Sequence, residues 1–487
     1  MSELKDRTAG TLKWNTIDRV ATQVLYGLSG IVLADILSKE DFGLVAVLTV
    51  FQSFAILFVD SGFGAALLQK KNPDEDDYST VFWFNLVVSV GIYAVLYLCA
   101  PLIADFFGAS QLTALSRVMF LTFVLTGLGI VQTNRLMKRM DVKQIAIADL
   151  FALSVSACLG IALAVAGFGA WAIVWQSVML AGLRSGWLWM TGNWRPRAVF
   201  SRRSLRDIRH IGLSVFISQL FNTVFLNIYQ FVIAKWYSLT QVAVYSQADK
   251  WSKMGSASLS QILTSSFVPV LAKVQDEIET LHRYMRRMDR FTALLAFPAL
   301  TVVAACGGSI FHFLFGTKWD EAIPLFQILC IRGIGVVFIS LYTNFLMALG
   351  HGRQIVGIEI VKDAATAVAL LATVFSMSLE ALVWGQFAAT VATWAAAAII
   401  AARHTGYSLT WLVRDILPFA LAAVAAAVAI RLVPVPSGDI SHWLNLTSLA
   451  ALAIQALTGL ITLIFILALL RVPELTEIKD RLLKIKT

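Results

Sequence analysis

Asn15, Asp18, Arg19, Thr22 and Tyr26 recur at helical spacing near the start of the chain and would share one broad helix face. Arg19 carries the most chemistry. A guanidinium stays charged at physiological pH and offers a planar pair of donors that matches phosphate oxygens. The competing reading is neutralisation by the adjacent Asp18, or a side chain reaching back to the membrane interface. Arg184 and Arg332 are further cations inside apolar runs, with pairing to an intramembrane acid as their alternative. Gln219, Asn222, Asn227 and Gln230, with Ser218 and Thr223, form a neutral hydrogen-bonding stripe. Asp249, Lys250 and Lys253 make a charged cluster. Asp249 and Lys253 are i,i+4 and can pair, which turns Lys250 about 100° away. Glu359, Lys362 and Asp363 are a similar set. For both sets the choice lies between self-pairing and a protonatable carboxylate coupled to ion flow. Asp60 closes an apolar run beside Ser-Gly-Phe-Gly and reads as a gate or cap.

These residues sit in a chain of 487 residues that is 58% hydrophobic and only 14% charged, with a mean hydropathy of +0.75. Soluble domains carry about 25% charged residues, so a water-soluble enzyme of this size is excluded. The composition is that of an all-α polytopic membrane protein. A charge at the bilayer centre costs at least ~2.5–3.5 kcal/mol, so the residues above must face a cavity or a partner. Apolar runs of about 20 residues give about 14 transmembrane helices. They are 12–36, 42–68, 79–106, 112–134, 144–167 and 170–191, then 211–235, 241–268, 289–314, 321–349, 354–376, 379–402, 410–433 and 444–470. Prolines 101, 298, 324 and 418 fall inside them, where they can bend a helix.

The net charge of +9 resolves into orientation. By the positive-inside rule, roughly 28 Lys and Arg lie on one side against about 4 on the other (Lys39, Lys235, Lys318 and Arg431). Both termini are therefore expected in the cytoplasm, and the surplus charge needs no nucleic-acid partner. No cleavable signal peptide is visible. Cys99, Cys158, Cys306 and Cys330 all fall in apolar runs without metal-type spacing, and no metal site is expected. The chain has no phosphate-binding Walker loop, no paired-histidine zinc motif and no nucleophile elbow, so it is not expected to be an enzyme.

The two halves resemble each other. Thr133–Ile145 (TNRLMKRMDVKQI) aligns with Thr343–Ile355 (TNFLMALGHGRQI) at a spacing of 210. The segment from Ala104 to Gly108 has a counterpart from His312 to Gly316 at 208, and Ser38–Gly43 pairs loosely with Ser238–Ala243 at 200. Six spans separate equivalent positions, so the repeats run parallel through the membrane, which is a transporter signature. The implied organisation is an N-lobe over 1–191, a basic cytoplasmic connector over 192–210 and a C-lobe over 211–403. Two extra helices follow over 404–471, then a cytoplasmic tail over 472–487.

The pieces SKEDFGL (Ser38 to Leu44), FVDSGFGAALLQK (Phe58 to Lys70) and TVFWFN (Thr80 to Asn85) resemble the polysaccharide transport family of the multidrug/oligosaccharidyl-lipid/polysaccharide flippase superfamily. Further family-like pieces are NWRPR (Asn193 to Arg197), FGTKWDEAIPLFQIL (Phe315 to Leu329) and LGHGRQ (Leu349 to Gln354). The subgroup it is most similar to is the Wzx-like exporters of colanic acid, teichuronic acid and other exopolysaccharides. The resemblance implies two parallel six-helix lobes, MATE- and MurJ-like, plus two C-terminal helices. It also implies movement of undecaprenyl-pyrophosphate-linked oligosaccharide across a bacterial inner membrane, with no cofactor. H+, Na+ or the membrane potential would drive it, and a polysaccharide polymerase or export machinery is the implied partner beside the lipid bilayer. In the repeat, Arg19 corresponds to Gln219. Charge for the pyrophosphate is thus expected in the N-lobe, with C-lobe amides and aromatics facing sugar. The rival readings are an organic-cation antiporter of the same superfamily and a membrane glycan polymerase or ligase. The short non-cytoplasmic loops disfavour the polymerase or ligase.

Overall fold

A computed structural model describes residues 2–60, 63–70, 73–273, 277–405, 408–434 and 444–470. The tail expected over 472–487 lies outside the described residues. All regular structure among the described residues is helical. In chain order the helices are α1 (Ser2–Ile36), α2 (Lys39–Asp60), α3 (Phe63–Gln69), α4 (Glu75–Phe107), α5 (Gln111–Met119) and α6 (Leu121–Lys138). Then come α7 (Val142–Val165), α8 (Ala170–Thr191), α9 (Arg202–Trp236), α10 (Leu239–Lys273), α11 (Ile278–Ala305) and α12 (Gly307–Phe315). The last are α13 (Ala322–Ala348), α14 (Gly352–Thr373), α15 (Leu379–Thr405), α16 (Leu409–Leu432) and α17 (Leu446–Leu469). Each expected span coincides with one helix or with two consecutive ones. Nine segments among the described residues are long and apolar enough to cross a membrane. Helices α1, α8, α9, α10 and α14 are not among these segments, and each carries polar residues singled out above.

Two compact units divide inside α10, between Ala243 and Val244. In the first unit α1 packs on α7, α7 on α8, and α6 between α4 and α8, while α9 lies on α2, α3 and α4. Lipid is as apolar as leucine, so helices in a bilayer associate through close contact and hydrogen bonds. Gly127 and Gly129 on α6 supply the contact. A Cβ at Gly129 would stand 2.6 Å from Ser185 Oγ of α8, and that hydroxyl donates to Leu125 O at 2.5 Å. In the second unit α11 packs on α13 and α16, α15 on α13 and α14, and α17 on α16 and α12. Its buried core gathers Phe338, Tyr342, Phe345 and Phe419.

The repeat carries matched local structure. After α6, Met140 takes a left-handed backbone (φ 58°), and Asp141 N donates to Leu136 O at 3.0 Å. After α13, Gly350 does the same (φ 76°), with His351 N donating to Leu346 O at 2.9 Å. Both turns close a helix by returning an amide to a carbonyl five residues back. The loosely aligned pair agrees too. Ser38 and Asp41 cap α2 reciprocally, with Asp41 N to Ser38 Oγ at 3.1 Å and Ser38 N to Asp41 Oδ2 at 3.1 Å. Ser238 and Gln241 repeat the box on α10 at 3.2 and 3.3 Å.

The basic connector divides in two. Residues 192–201 are extended, with Arg197 N on Ser79 Oγ at 3.1 Å and Ser201 N on Thr80 Oγ1 at 3.0 Å. From Arg202 the chain is already helical and runs without a break to Trp236. Arg135 holds the start of the connector to α4. It binds Glu75 through two bonds of 2.7 and 3.1 Å, and Trp194 Nε1 donates to the same carboxylate at 2.6 Å.

Gly43 sits where α2 meets the first residue of α10. A Cβ there would be 2.1 Å from Leu239 O, a backbone atom that cannot rotate aside. Gly43→Ala is expected to cost about 1–3 kcal/mol through forced backbone displacement. Thermal unfolding in detergent reads this as a fall in Tm of several degrees, and an unchanged Tm would refute the contact.

Candidate functional site

On α1 the polar face divides. Asp18 and Thr22 are half-buried, whereas Asn15, Arg19 and Tyr26 are exposed. Successive residues on a helix differ by about 100°, which separates Asp18 from Arg19. Thr22 Oγ1 donates to the Asp18 backbone carbonyl and lies 3.3 Å from Asp18 Oδ1. Asp18 also lies within electrostatic range of Asp149 on α7 and Arg184 on α8. Arg184 is ion-paired through Nε with Asp149 Oδ1, both largely shielded at 31% and 20% exposure. Three helices therefore meet at two carboxylates and one guanidinium. The Arg184 charge is engaged in this cluster, and among the described side chains of α1 the exposed cation is Arg19. Lys143 stands over the Trp14 ring at 5.6 Å, and Gln176 Nε2 donates to Ser29 Oγ at 3.0 Å, fixing the rest of α1 against α7 and α8.

On α9, Gln219 is exposed and Asn222 half-buried. Asn227 Nδ2 donates back to Thr223 O at 2.9 Å, so it satisfies its own helix. Gln230 Nε2 reaches α2, donating to Ala46 O at 2.8 Å and lying 3.3 Å from Thr49 Oγ1. Asn227 and Gln230 are thus spent on helix contacts, while Gln219 stays exposed and the Ser218 side chain lies outside the described residues. Asp60 is the last residue of α2, and its side chain lies outside the described residues.

In the second unit Lys253 Nζ meets Asp249 Oδ2 at 2.5 Å, and the partly buried Lys250 stands over the Trp251 ring at 5.6 Å. Asp249 Oδ1 is buried without a hydrogen bond. Lys362 is ion-paired with Glu359, while Asp363 has one buried oxygen without a hydrogen bond. Arg332 Nε donates to Thr390 Oγ1 of α15 at 3.0 Å. No group of three or more His, Cys, Asp or Glu able to hold a metal occurs among the described residues.

A family described as polysaccharide biosynthesis protein matches residues 32–324. The chain belongs to the polysaccharide biosynthesis protein family. It is 24% identical over 372 residues to the succinoglycan biosynthesis transport protein ExoT of Rhizobium meliloti (strain 1021), covering 76% of this chain and 75% of the relative. It is 25% identical over 344 residues to the teichuronic acid biosynthesis protein TuaB of Bacillus subtilis (strain 168), covering 70% and 71%. The lipopolysaccharide biosynthesis protein WzxC of Escherichia coli (strain K12) is 24% identical over 340 residues, with 68% of each chain covered. Among solved structures, the lipid II flippase MurJ in an inward closed conformation superposes with a TM-score of 0.75 at 11% identity, covering 93% of this chain and 98% of the other. An inward-facing MATE multidrug transporter gives 0.61 at 16% identity, covering 82% and 95%. These likenesses place the chain in the MATE/MurJ fold as a multi-pass all-α membrane protein.

Two acids of this polysaccharide biosynthesis protein escape sequence reading. Asp149 stands 35 positions from Arg184, and no local pattern links them. Asp289 lies in the basic run Arg283–Arg290, where pairing with an adjacent arginine is the obvious reading. Instead it is fully buried and accepts from Tyr342 Oη at 2.9 Å. An acid on the apolar side of a helix that is otherwise basic is the only local signal it offers.

Proposed function

We propose that this protein is a flippase that carries undecaprenyl-pyrophosphate-linked oligosaccharide units from the cytoplasmic to the periplasmic leaflet of a bacterial inner membrane, by alternating access and without catalysis. Both termini lie in the cytoplasm in this reading. What carries it is the charge arrangement on α1 within this family. Arg184 is held by Asp149, while Arg19 stays exposed on α1 together with Asn15 and Tyr26. A diphosphate cannot enter a bilayer bare, and a guanidinium supplies charge and two donors together. The neutral polar surface at Gln219 and Asn222 suits the hydroxyl groups of sugar. The names of ExoT, TuaB and WzxC, and the fold shared with a lipid II flippase, support the same reading.

Deleting the gene is expected to leave lipid-linked repeat units accumulated on the cytoplasmic face of the inner membrane. Mass spectrometry of the lipid extract, with surface labelling of spheroplasts to report sidedness, checks this. Units found on the outer face and merely unpolymerised would transfer the role to a polymerase. An intact lipid-linked pool with altered drug tolerance would transfer it to a cation antiporter.

A further inference from the structure

Several cations of the second unit meet acids. Lys253 pairs with Asp249, Lys362 with Glu359, and Arg286 donates to Asp415 from Nε at 2.6 Å and Nη2 at 2.9 Å. Arg332 does not. Among the described residues no acid pairs with it, and its hydrogen bond runs from Nε to the Thr390 hydroxyl. Its Nη1 and Nη2 make no hydrogen bond among the described residues and are not enclosed, so both reach the surface of the chain. The residue as a whole is only partly buried. Pairing with an intramembrane acid, the alternative left open by the sequence, is therefore absent among the described residues.

Arg332 is held at mid-depth. It lies ten residues into the 27-residue α13, about 15 Å along the axis from the first residue and farther from the last. Neither end of the span is within a side chain's reach, so the group cannot snorkel to an interface. Its Nε is fixed from α15, where Thr390 Oγ1 accepts at 3.0 Å and donates onward to Gln386 O at 2.9 Å. The helices touch closely here. A Cβ at Gly335 would lie 2.9 Å from Thr390 Cγ2, and one at Gly333 would lie 3.0 Å from Ser256 Cβ of α10. On α10, Lys253, Ser258 and Gln261 are exposed within two turns of Ser256, so more than one helix is polar at this depth. A guanidinium at the bilayer centre with no acid beside it is costly unless water or an anion meets it. With Nε occupied, the end of the fork remains, and its two donors match two oxygens of one phosphate or carboxylate.

We propose that Arg332 binds an oxyanion of the exported conjugate through its two Nη donors, with Thr390 as the residue that positions it. The oxyanion is a phosphate of the diphosphate or the carboxylate of an acidic sugar. The inference rests on the export reading. It adds a charged contact in the C-lobe, where comparison of the repeats leads one to expect amides and aromatics.

The test is titration of the full-length chain in detergent with three probes. They are undecaprenyl pyrophosphate, the same lipid carrying a glucuronate-containing disaccharide, and that conjugate with its carboxylate methyl-esterified. Arg332→Gln is expected to bind at least one of them about tenfold more weakly than the wild type, as loss of a charge-assisted contact requires. Weakening of all three assigns the diphosphate, and weakening of the free-acid conjugate alone assigns the sugar carboxylate. Arg332→Lys keeps the charge without the fork and should lose about threefold. The Tm of each variant is read beside its affinity, because truncation also releases Thr390. Affinity lost at a wild-type Tm supports the site, and affinity lost only together with Tm overturns it. Equal affinities of the wild type and either variant for all three probes would overturn the site and leave the export reading to the sidedness assay. A wild type that binds none of the three would overturn both.

Discussion

Replacing Arg19 by alanine is expected to slow glycan export by at least roughly tenfold while leaving the fold intact. Arg19 is exposed on α1, so truncating it removes no buried contact. Its value lies in what it would offer a diphosphate. Hydrogen bonds to a charged group contribute about 1.5–3 kcal/mol each, which corresponds to a factor of roughly ten to a hundred. Arg19→Lys keeps the charge but loses the planar fork, so it should recover only part of the rate. The readout is the amount of lipid-linked repeat unit held on the cytoplasmic face, together with the surface polysaccharide made. Wild-type export by Arg19→Ala would remove Arg19 from the substrate path. A lowered Tm would turn the effect into one of folding.

The second large effect concerns the Asp149–Arg184 pair. Arg184→Met takes the cation away and leaves Asp149 facing Asp18 across the α1–α7 contact, two carboxylates with no counter-charge between them. Breaking a shielded pair from one side costs about 3–5 kcal/mol, whereas removing both charges together is far cheaper. Arg184→Met is therefore expected to destabilise by ~3 kcal/mol, discounted from the upper figure because both groups keep some exposure. The double variant Arg184→Met/Asp149→Asn should recover most of that. Thermal unfolding of the wild type, both singles and the double closes the cycle. A double variant as unstable as Arg184→Met would show that Arg184 stabilises by packing alone.

Much of the fold was legible because the bilayer demands long apolar runs, and fourteen such runs coincide with helices. Local charge geometry was legible for the same reason: Asp249 and Lys253 are four residues apart on one helix, and helical spacing alone brings them together. Breaks within runs were harder. The run 112–134 divides at Phe120, with no Gly or Pro to mark it. The run 289–314 continues through Pro298 and breaks instead at Cys306. Proline is tolerated inside a membrane helix when neighbours satisfy the freed carbonyl, so it is a weaker stop there than in water. The site was legible by residue type but not by partner. Arg184 was visible as a buried cation, yet its acid comes from a different helix. Asp415 is likewise 129 positions from Arg286. Such pairs are made by tertiary structure and leave no spacing to read.

The turns after α6 and α13 have a consequence for how the two halves diverged. A left-handed backbone costs a side-chain-bearing residue roughly 1–2 kcal/mol, yet the first copy tolerates Met140 where the second has Gly350. Conserving the bend mattered more than conserving the residue best suited to it. At the neighbouring positions the copies part company: Arg135 and Lys138 correspond to Phe345 and Ala348. Arg135 fastens Glu75, and Lys138 Nζ donates to Leu68 O at 2.8 Å, whereas Phe345 is sealed in the hydrophobic core. After duplication the inherited turn stayed fixed while the charged side chains beside it were free to drift. One descendant became a clasp for the chain that leaves its bundle, and the other became filler.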